Sequence, residues 1–210
     1  MAVELCMKTK RQTDPAIAKA RRDQVLTAAA ECFRRKGFHA AGMAEISRTA
    51  GMSAGHIYNY FESKEAIIES IIEKDMEEMF SIFEHFEGQP EDTLTVLLNG
   101  LNIGVQRHMD TGECAVDLEM LAEAGRNVKV AKLLRDADTQ ARNRMRQLLI
   151  SERSVIKDID EVELESRINV IFSVMAGLLL RKVLYPELTE ETVLIALRPA
   201  MKTLLMPFED

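Results

Sequence analysis

The segment from Gly37 to Lys64, GFHAAGMAEISRTAGMSAGHIYNYFESK, constrains the fold more than any other part of the chain. It predicts two short helices joined at Gly51. The first spans about Met43 to Ala50, with Met43, Ile46 and Ala50 facing inward at helical spacing. Gly51 supplies the left-handed backbone that a tight turn between helices needs. Ser53 then caps a second helix from Ala54 to about Tyr60. Met52, Ile57 and Phe61 are placed to hold that second helix against its neighbours. Such a pair is a helix-turn-helix, whose second member projects as a rod.

The flanking sequence supplies the support. A helix is predicted from Pro15 to Lys36, with Asp14 as its cap and Pro15 in its first position. Val25, Leu26, Ala29, Cys32 and Phe33 form its apolar face, and Gly37 ends it. A fourth helix starts near Ser63 and runs to about Phe86. After the Gly88-Gln89-Pro90 break, helical patterns cover about Glu91–Met109, Cys114–Ala124, Val128–Ser151, Glu161–Tyr185 and Thr189–Leu205. Pro199 is expected to kink or restart the last of them. The chain therefore reads as all-α, with about nine helices. A basic arm and three-helix helix-turn-helix unit occupy residues 1–64, and a helical body occupies residues 65–210.

Composition matters chiefly through the distribution of charge. The net charge of −7 looks unsuited to a nucleic-acid partner. Yet residues 1–64 carry eleven Lys/Arg against six Asp/Glu, while residues 65–210 carry sixteen against twenty-eight. A cationic module for phosphates is thus joined to an acidic body with another task. Cys6, Cys32 and Cys114 are odd in number and scattered, which suits neither a disulfide framework nor a metal site. The apolar run from Val170 to Leu180 is too short to span a bilayer, and the N-terminal MAVELCMKTKR has no secretory apolar core. A cytoplasmic location, with no membrane partner and no cofactor, is expected.

The order and spacing of Arg22, Val25-Leu26, Ala28-Ala29, Phe33, Gly37-Phe38, Ile46, Ala50-Gly51-Met52-Ser53, Gly55, Ile57-Tyr58, Tyr60-Phe61 and Ser63-Lys64-Glu65 resemble the TetR family of bacterial transcriptional regulators over about residues 20–70. Leu118–Leu134 is more loosely similar to effector domains of the choline-regulator branch. The resemblance implies a homodimeric, ligand-responsive repressor that binds a palindromic double-stranded DNA operator. Arg48, Ser53, Ala54, His56 and Asn59 are the expected base-reading residues. Tyr60 is expected on a phosphate and Tyr58 in the core, and Lys64 adds charge at the start of the fourth helix. Ala41 and Gly42 stand where the family usually has hydroxyl residues. Gly42 therefore caps the second helix without a phosphate-binding side chain. Lys8, Lys10 and Arg11, with Lys19, Arg21 and Arg22, are expected to compensate through backbone or minor-groove contacts.

In the body, Met76, Met79, Phe80, Phe83, His108, Met109, Met120, Met145 and Phe172 are the residues expected around a ligand cavity of the kind the family implies. Methionine suits such adaptable apolar walls. Gly100 and Gly104 lie four apart and permit close approach of a helix or ligand. Glu84, Glu87, Glu113, Asp117, Glu119 and Glu123 would suit a lipophilic, cationic effector wherever they face inward. Ile168, Ile171, Met175 and Leu179, with Leu194, Leu197 and Met201, make the apolar stripes expected at the dimer interface. A multidrug or antiseptic exporter gene is the expected target, with choline, osmolyte or other metabolic genes as the alternative. An enzyme is disfavoured by the lack of a Gly-rich phosphate loop or nucleophile motif. A helical protein binding DNA without sequence preference is the other competing class.

Overall fold

The computed structural model describes residues 14–207, apart from the side chains of Thr111 and Glu113. The arm residues Lys8, Lys10 and Arg11, together with Cys6 and the Glu113 carboxylate, lie outside what is described. Three helices make the head: α1 (Pro15–Ala40), α2 (Met43–Thr49) and α3 (Ala54–Ile57). The long α4 (Lys64–Glu87) leads into α5 (Thr93–Asn99), α6 (Leu101–Met109), α7 (Thr111–Ala124), α8 (Val128–Leu149), α9 (Glu161–Leu184) and α10 (Glu190–Leu205). Because α5 and α6 meet directly at Gly100, the described segments form nine rods, as the sequence predicts.

The helix starts follow from their capping residues. Asp14, Ser53, Ser63, Asp92, Asn127, Asp160 and Thr189 each accept a backbone N–H from the first turn of the helix that follows. Each such cap contributes about 1 kcal/mol. Gly37 (φ 76, ψ 163) interrupts α1, so the end of this helix turns away from its axis. Gly51 takes φ 64, as a tight α2–α3 turn demands. Pro199 does not interrupt α10, which continues through it. The proline is exposed, so water can satisfy the Ile195 carbonyl left without its N–H partner.

Two apolar cores result. The first joins Val25, Phe33, Ile46, Ile57 and Phe61 of the head to Ile67, Ile68 and Ile72 of α4, and takes in Val116 and Met120 of α7 and Val130 of α8. The second joins the far end of α4 to α5, α6, α8, α9 and α10 around Val105, Leu149, Leu164 and Ile168. This second core corrects the expected dimer stripe. Ile168, Ile171, Leu179, Leu197 and Met201 are buried within one chain, and Met175 and Leu194 pack against the same cluster. The reason is that α6 lies beneath both α9 and α10 and consumes their apolar faces.

Candidate nucleic-acid interface and ligand chamber

The short α3 is set by a one-sided apolar pattern. Ile57 and Phe61, four residues apart, are buried, which turns Ala54, Gly55, Tyr58 and Asn59 to the surface. Ser53 Oγ accepts the His56 N–H at 3.2 Å and closes the first turn. Arg48, Ser53, Ala54, His56 and Asn59 are all exposed. His56 Nε2 lies 3.3 Å from the Tyr60 hydroxyl, and their rings are 5.4 Å apart. The Tyr60 ring packs on the first core, with its oxygen held at the surface by this contact. Tyr58, by contrast, is 53% exposed and does not belong to the core. Spacing did not decide it, since positions 57, 58 and 61 fall within about 100° of one helix face.

Several cations expected at phosphates serve the head internally. Lys64 donates to the carbonyl oxygens of Phe38 and Ala41, the latter at 3.0 Å, and its ammonium sits 4.1 Å from the centre of the Phe38 ring. Burial pushes its pKa below the ordinary lysine range, against the opposing charges of Glu65 and Glu123. This side chain ties the end of α1 to the start of α4 and is not presented to an anion. Arg22 likewise turns inward, donating to the Tyr60 carbonyl and the Ser70 hydroxyl, both at 3.0 Å, with its guanidinium over Phe61. Arg35 and Lys36 share Glu45, each at 2.8 Å, and hydrogen bonds from Lys36 and Arg35 lower that carboxyl's pKa. Lys19 and Arg21 remain exposed, the latter donating to Gln24 at 2.7 Å. Gly42 caps α2 with no side-chain bond, and an added Cβ there would meet nothing within 4 Å.

A cavity of about 440 Å³ opens among α4, α6, α7, α8 and α9. Met76, Met79, Phe83, His108, Met120, Met145 and Phe172 line it, joined by Phe86, Met175, Leu179, Ile171 and Met201, among others. Phe80 and Met109 do not. Phe80 lies outside its lining, with the Arg144 guanidinium 5.3 Å from its ring. Met109 ends α6 in the second core, beside Lys182 and Leu188. The two α6 glycines permit the expected close approach. A Cβ on Gly100 would stand 2.3 Å from the Phe86 ring, and one on Gly104 would stand 2.8 Å from the Met175 methyl.

The cavity's polar lining is Asp75, Arg107, His108, Asp117 and Asp138. Arg107 contacts Asp75 at 3.1 Å and Glu78 at 3.6 Å. Burial raises the Asp75 pKa despite that arginine. His108 Nδ1 is 2.8 Å from the Gly104 carbonyl oxygen. Burial, helped by the Arg107 charge, pushes the imidazolium pKa down, so the ring is neutral near pH 7.

The other acidic residues have different employment. Glu87 pairs with Arg144 at 3.2 Å, and Glu84 is exposed. Glu119 Oε2 accepts the Phe38 N–H at 3.1 Å, just after the Gly37 break. Glu123 is buried and lies 3.0 Å from His39 Nε2, while Asn127 and Arg126 donate to it. Burial alone would raise the Glu123 pKa, but those two donors and His39 outweigh it and hold the carboxyl below its ordinary range. Helix α7 therefore lines the chamber with Asp117, Met120 and Leu121 and grips the head through Glu119 and Glu123. Sequence reasoning missed this clasp, because nothing local in α7 announces a partner some eighty residues away.

Residues 25–71 match the model of the family described as "Bacterial regulatory proteins, tetR family". The HTH-type transcriptional regulator UidR of Escherichia coli K12 is 33% identical over 125 residues, which is 57% of this chain and 59% of that protein. The similarity thus spans less than two thirds of the curated relative. The HTH-type transcriptional activator FasR of Mycolicibacterium smegmatis is 39% identical over 61 residues, 29% of this chain and 28% of that one. Among solved structures, Salmonella enterica GusR superposes with a TM-score of 0.67 at 25% identity, covering 92% of this chain and 98% of its own. FadR of Bacillus subtilis, in complex with stearoyl-CoA, superposes with a TM-score of 0.70 at 19% identity, covering 89% and 99%. That likeness is one of fold.

Proposed function

We propose that this chain, whose residues 25–71 match the TetR-family model and whose fold is that of GusR, is a homodimeric, sequence-specific DNA-binding repressor of the TetR family released by a small lipophilic effector. The observation that carries the DNA reading is the Ser53-capped turn, which buries Ile57 and Phe61 and leaves Arg48, Ala54, His56 and Asn59 at the surface. Arginine pairs with guanine and asparagine with adenine in the major groove, and an alanine methyl can meet a thymine methyl. Tyr60 and Ser53 hydroxyls are the candidate phosphate contacts. The functional division is a reading head over residues 1–64 and a sensing and pairing body over residues 65–210.

One reading helix covers only a few base pairs, so two copies are required on a palindrome, about 34–36 Å apart. We place the second copy against the outer faces of α9 and α10. Leu180, Val183, Leu184 and Ile195 are exposed there, and a Cβ on Gly177 would meet nothing within 4 Å. An effector in the cavity acts by linkage, favouring the dimer whose heads do not fit one duplex. Both α4 and α7 connect cavity to head, α4 by continuity and α7 by the Glu119 and Glu123 clasp. Among the described residues no helix is long and apolar enough to cross a membrane, and we assign the protein to the cytoplasm. The regulated gene we take to be an exporter of the effector, in view of the apolar chamber.

Footprinting on the DNA flanking the gene tests the reading. A single protected palindrome is expected. Tyr60→Phe should weaken binding on all sequences alike, and Asn59→Ala should relax preference at one operator position. Uniform protection without a preferred site would instead identify a non-specific DNA-binding protein.

A further inference from the structure

Tyr60 is anchored at its ring and at its main chain. The ring packs against the first core, and the carbonyl oxygen accepts from Arg22 at 3.0 Å. The coil of α3 continues past Ile57, since the Tyr60 and Phe61 N–H groups both donate to the Ile57 carbonyl, at 2.9 and 3.0 Å. Positions 56 and 60 therefore stand one turn apart on a single face. His56, itself exposed, brings Nε2 to 3.3 Å from the Tyr60 oxygen, with the ring centres 5.4 Å apart. What is left to choose is the direction of the phenol hydrogen.

That direction decides what the hydroxyl can do beside a DNA strand. A backbone phosphate offers acceptor oxygens only, so Tyr60 must donate its hydrogen to make the contact. A phenol that donates to His56 has spent that hydrogen and turns its lone pairs to the phosphate. The contact therefore needs the imidazole to carry hydrogen on Nε2 and to donate to the Tyr60 oxygen. The phenol hydrogen then points outward, and each donor in the chain strengthens the next. The same engagement withdraws Nε2 from the base edges, which sets His56 apart from Arg48 and Asn59.

The geometry points to His56 as a positioning residue that acts on DNA through Tyr60, holding the phenol hydrogen toward a phosphate, and not as a reader of bases. The bound complex selects the ring form with hydrogen on Nε2. This rests on the DNA-binding reading above, in which Tyr60 meets a phosphate. The test is a double-mutant cycle with the full-length protein, on the footprinted operator and on its single-base variants. Tyr60→Phe should weaken binding about five- to tenfold on every sequence. His56→Ala should cost about as much on every sequence, and His56→Gln, whose amide N–H reaches the same place, should restore most of the loss. In the Tyr60→Phe background, His56→Ala should change affinity less than about twofold. Nitrogen NMR of histidine-labelled protein should show hydrogen on His56 Nε2 in the operator complex. Additive losses, a loss confined to one base pair, a neutral His56→Ala, or a bare Nε2 in the complex each overturn the inference and leave the DNA reading standing. If the parent finds no operator, or Tyr60→Phe binds as the parent does, the phosphate reading falls and takes the inference with it.

Discussion

Gly42 illustrates how much a single missing side chain can decide. It caps α2 in an extended conformation (φ −103, ψ 158), with open space where a Cβ would stand. Serine fits there and restores both a cap and a hydroxyl. Gly42→Ser should raise stability by only a few tenths of a kcal/mol, measured by thermal melting, while tightening operator binding several-fold in a gel-shift titration. Lys64 points the other way. Lys64→Met keeps the aliphatic stem on Phe38 but removes the donors to the Phe38 and Ala41 carbonyls. It should cost about 1–2 kcal/mol, seen as a melting temperature roughly 3–6 °C lower. The slope of log affinity against log salt should stay as it was. Arg48→Ala should leave the melting temperature unchanged and relax preference at one operator position, read by titrating operator variants. The glycines at 37 and 51 and the caps at Asp14 and Ser53 were legible in the sequence because their causes are local. The inward turn of Arg22 and Lys64 was not, since their acceptors, main-chain oxygens and the Ser70 hydroxyl, are brought close only by the packed head.

At the scale of elements, α7 and its clasp carry the next expectation. Glu123 is held below the ordinary glutamate range by Asn127, Arg126 and His39 despite its burial. A carboxyl with a lowered folded pKa stabilises fully above its unfolded value, about 4.3. That contribution is lost as pH falls through the lower folded value. Melting temperatures of Glu123→Gln and the parent should therefore differ most near neutral pH and converge under acid conditions. Parallel curves down to the acid limit would show that the charge of Glu123 does not matter. The helices were legible element by element from apolar spacing, including the position of α7. Their partners were not. The stripe of Ile168, Ile171, Leu197 and Met201 has the spacing of an interface and of a core alike, and only the presence of α6 beneath it decides for the core. Phe80 and Met109 failed as chamber residues for a related reason, since neighbouring positions on one helix turn to different surroundings.

The whole molecule separates its charges, with the cationic surplus in residues 1–64 and the acidic surplus beyond. Operator affinity should accordingly fall steeply with added salt, while effector binding should respond weakly. Pairing should depend on the outer faces of α9 and α10. Leu180→Glu combined with Ile195→Glu should yield monomers in analytical ultracentrifugation, with the melting temperature little changed and operator binding lost. A dimer that survives both substitutions would move the pairing surface elsewhere. Finally, α7 meets the chamber on one face and the head on the other, so under the proposed function it separates sensing from obeying. A genetic screen for strains that never respond to the inducing compound should recover changes at Glu119, Glu123 and His39. Those proteins would still occupy the promoter and still take up the compound, yet stay deaf to it, although the altered positions touch neither DNA nor drug.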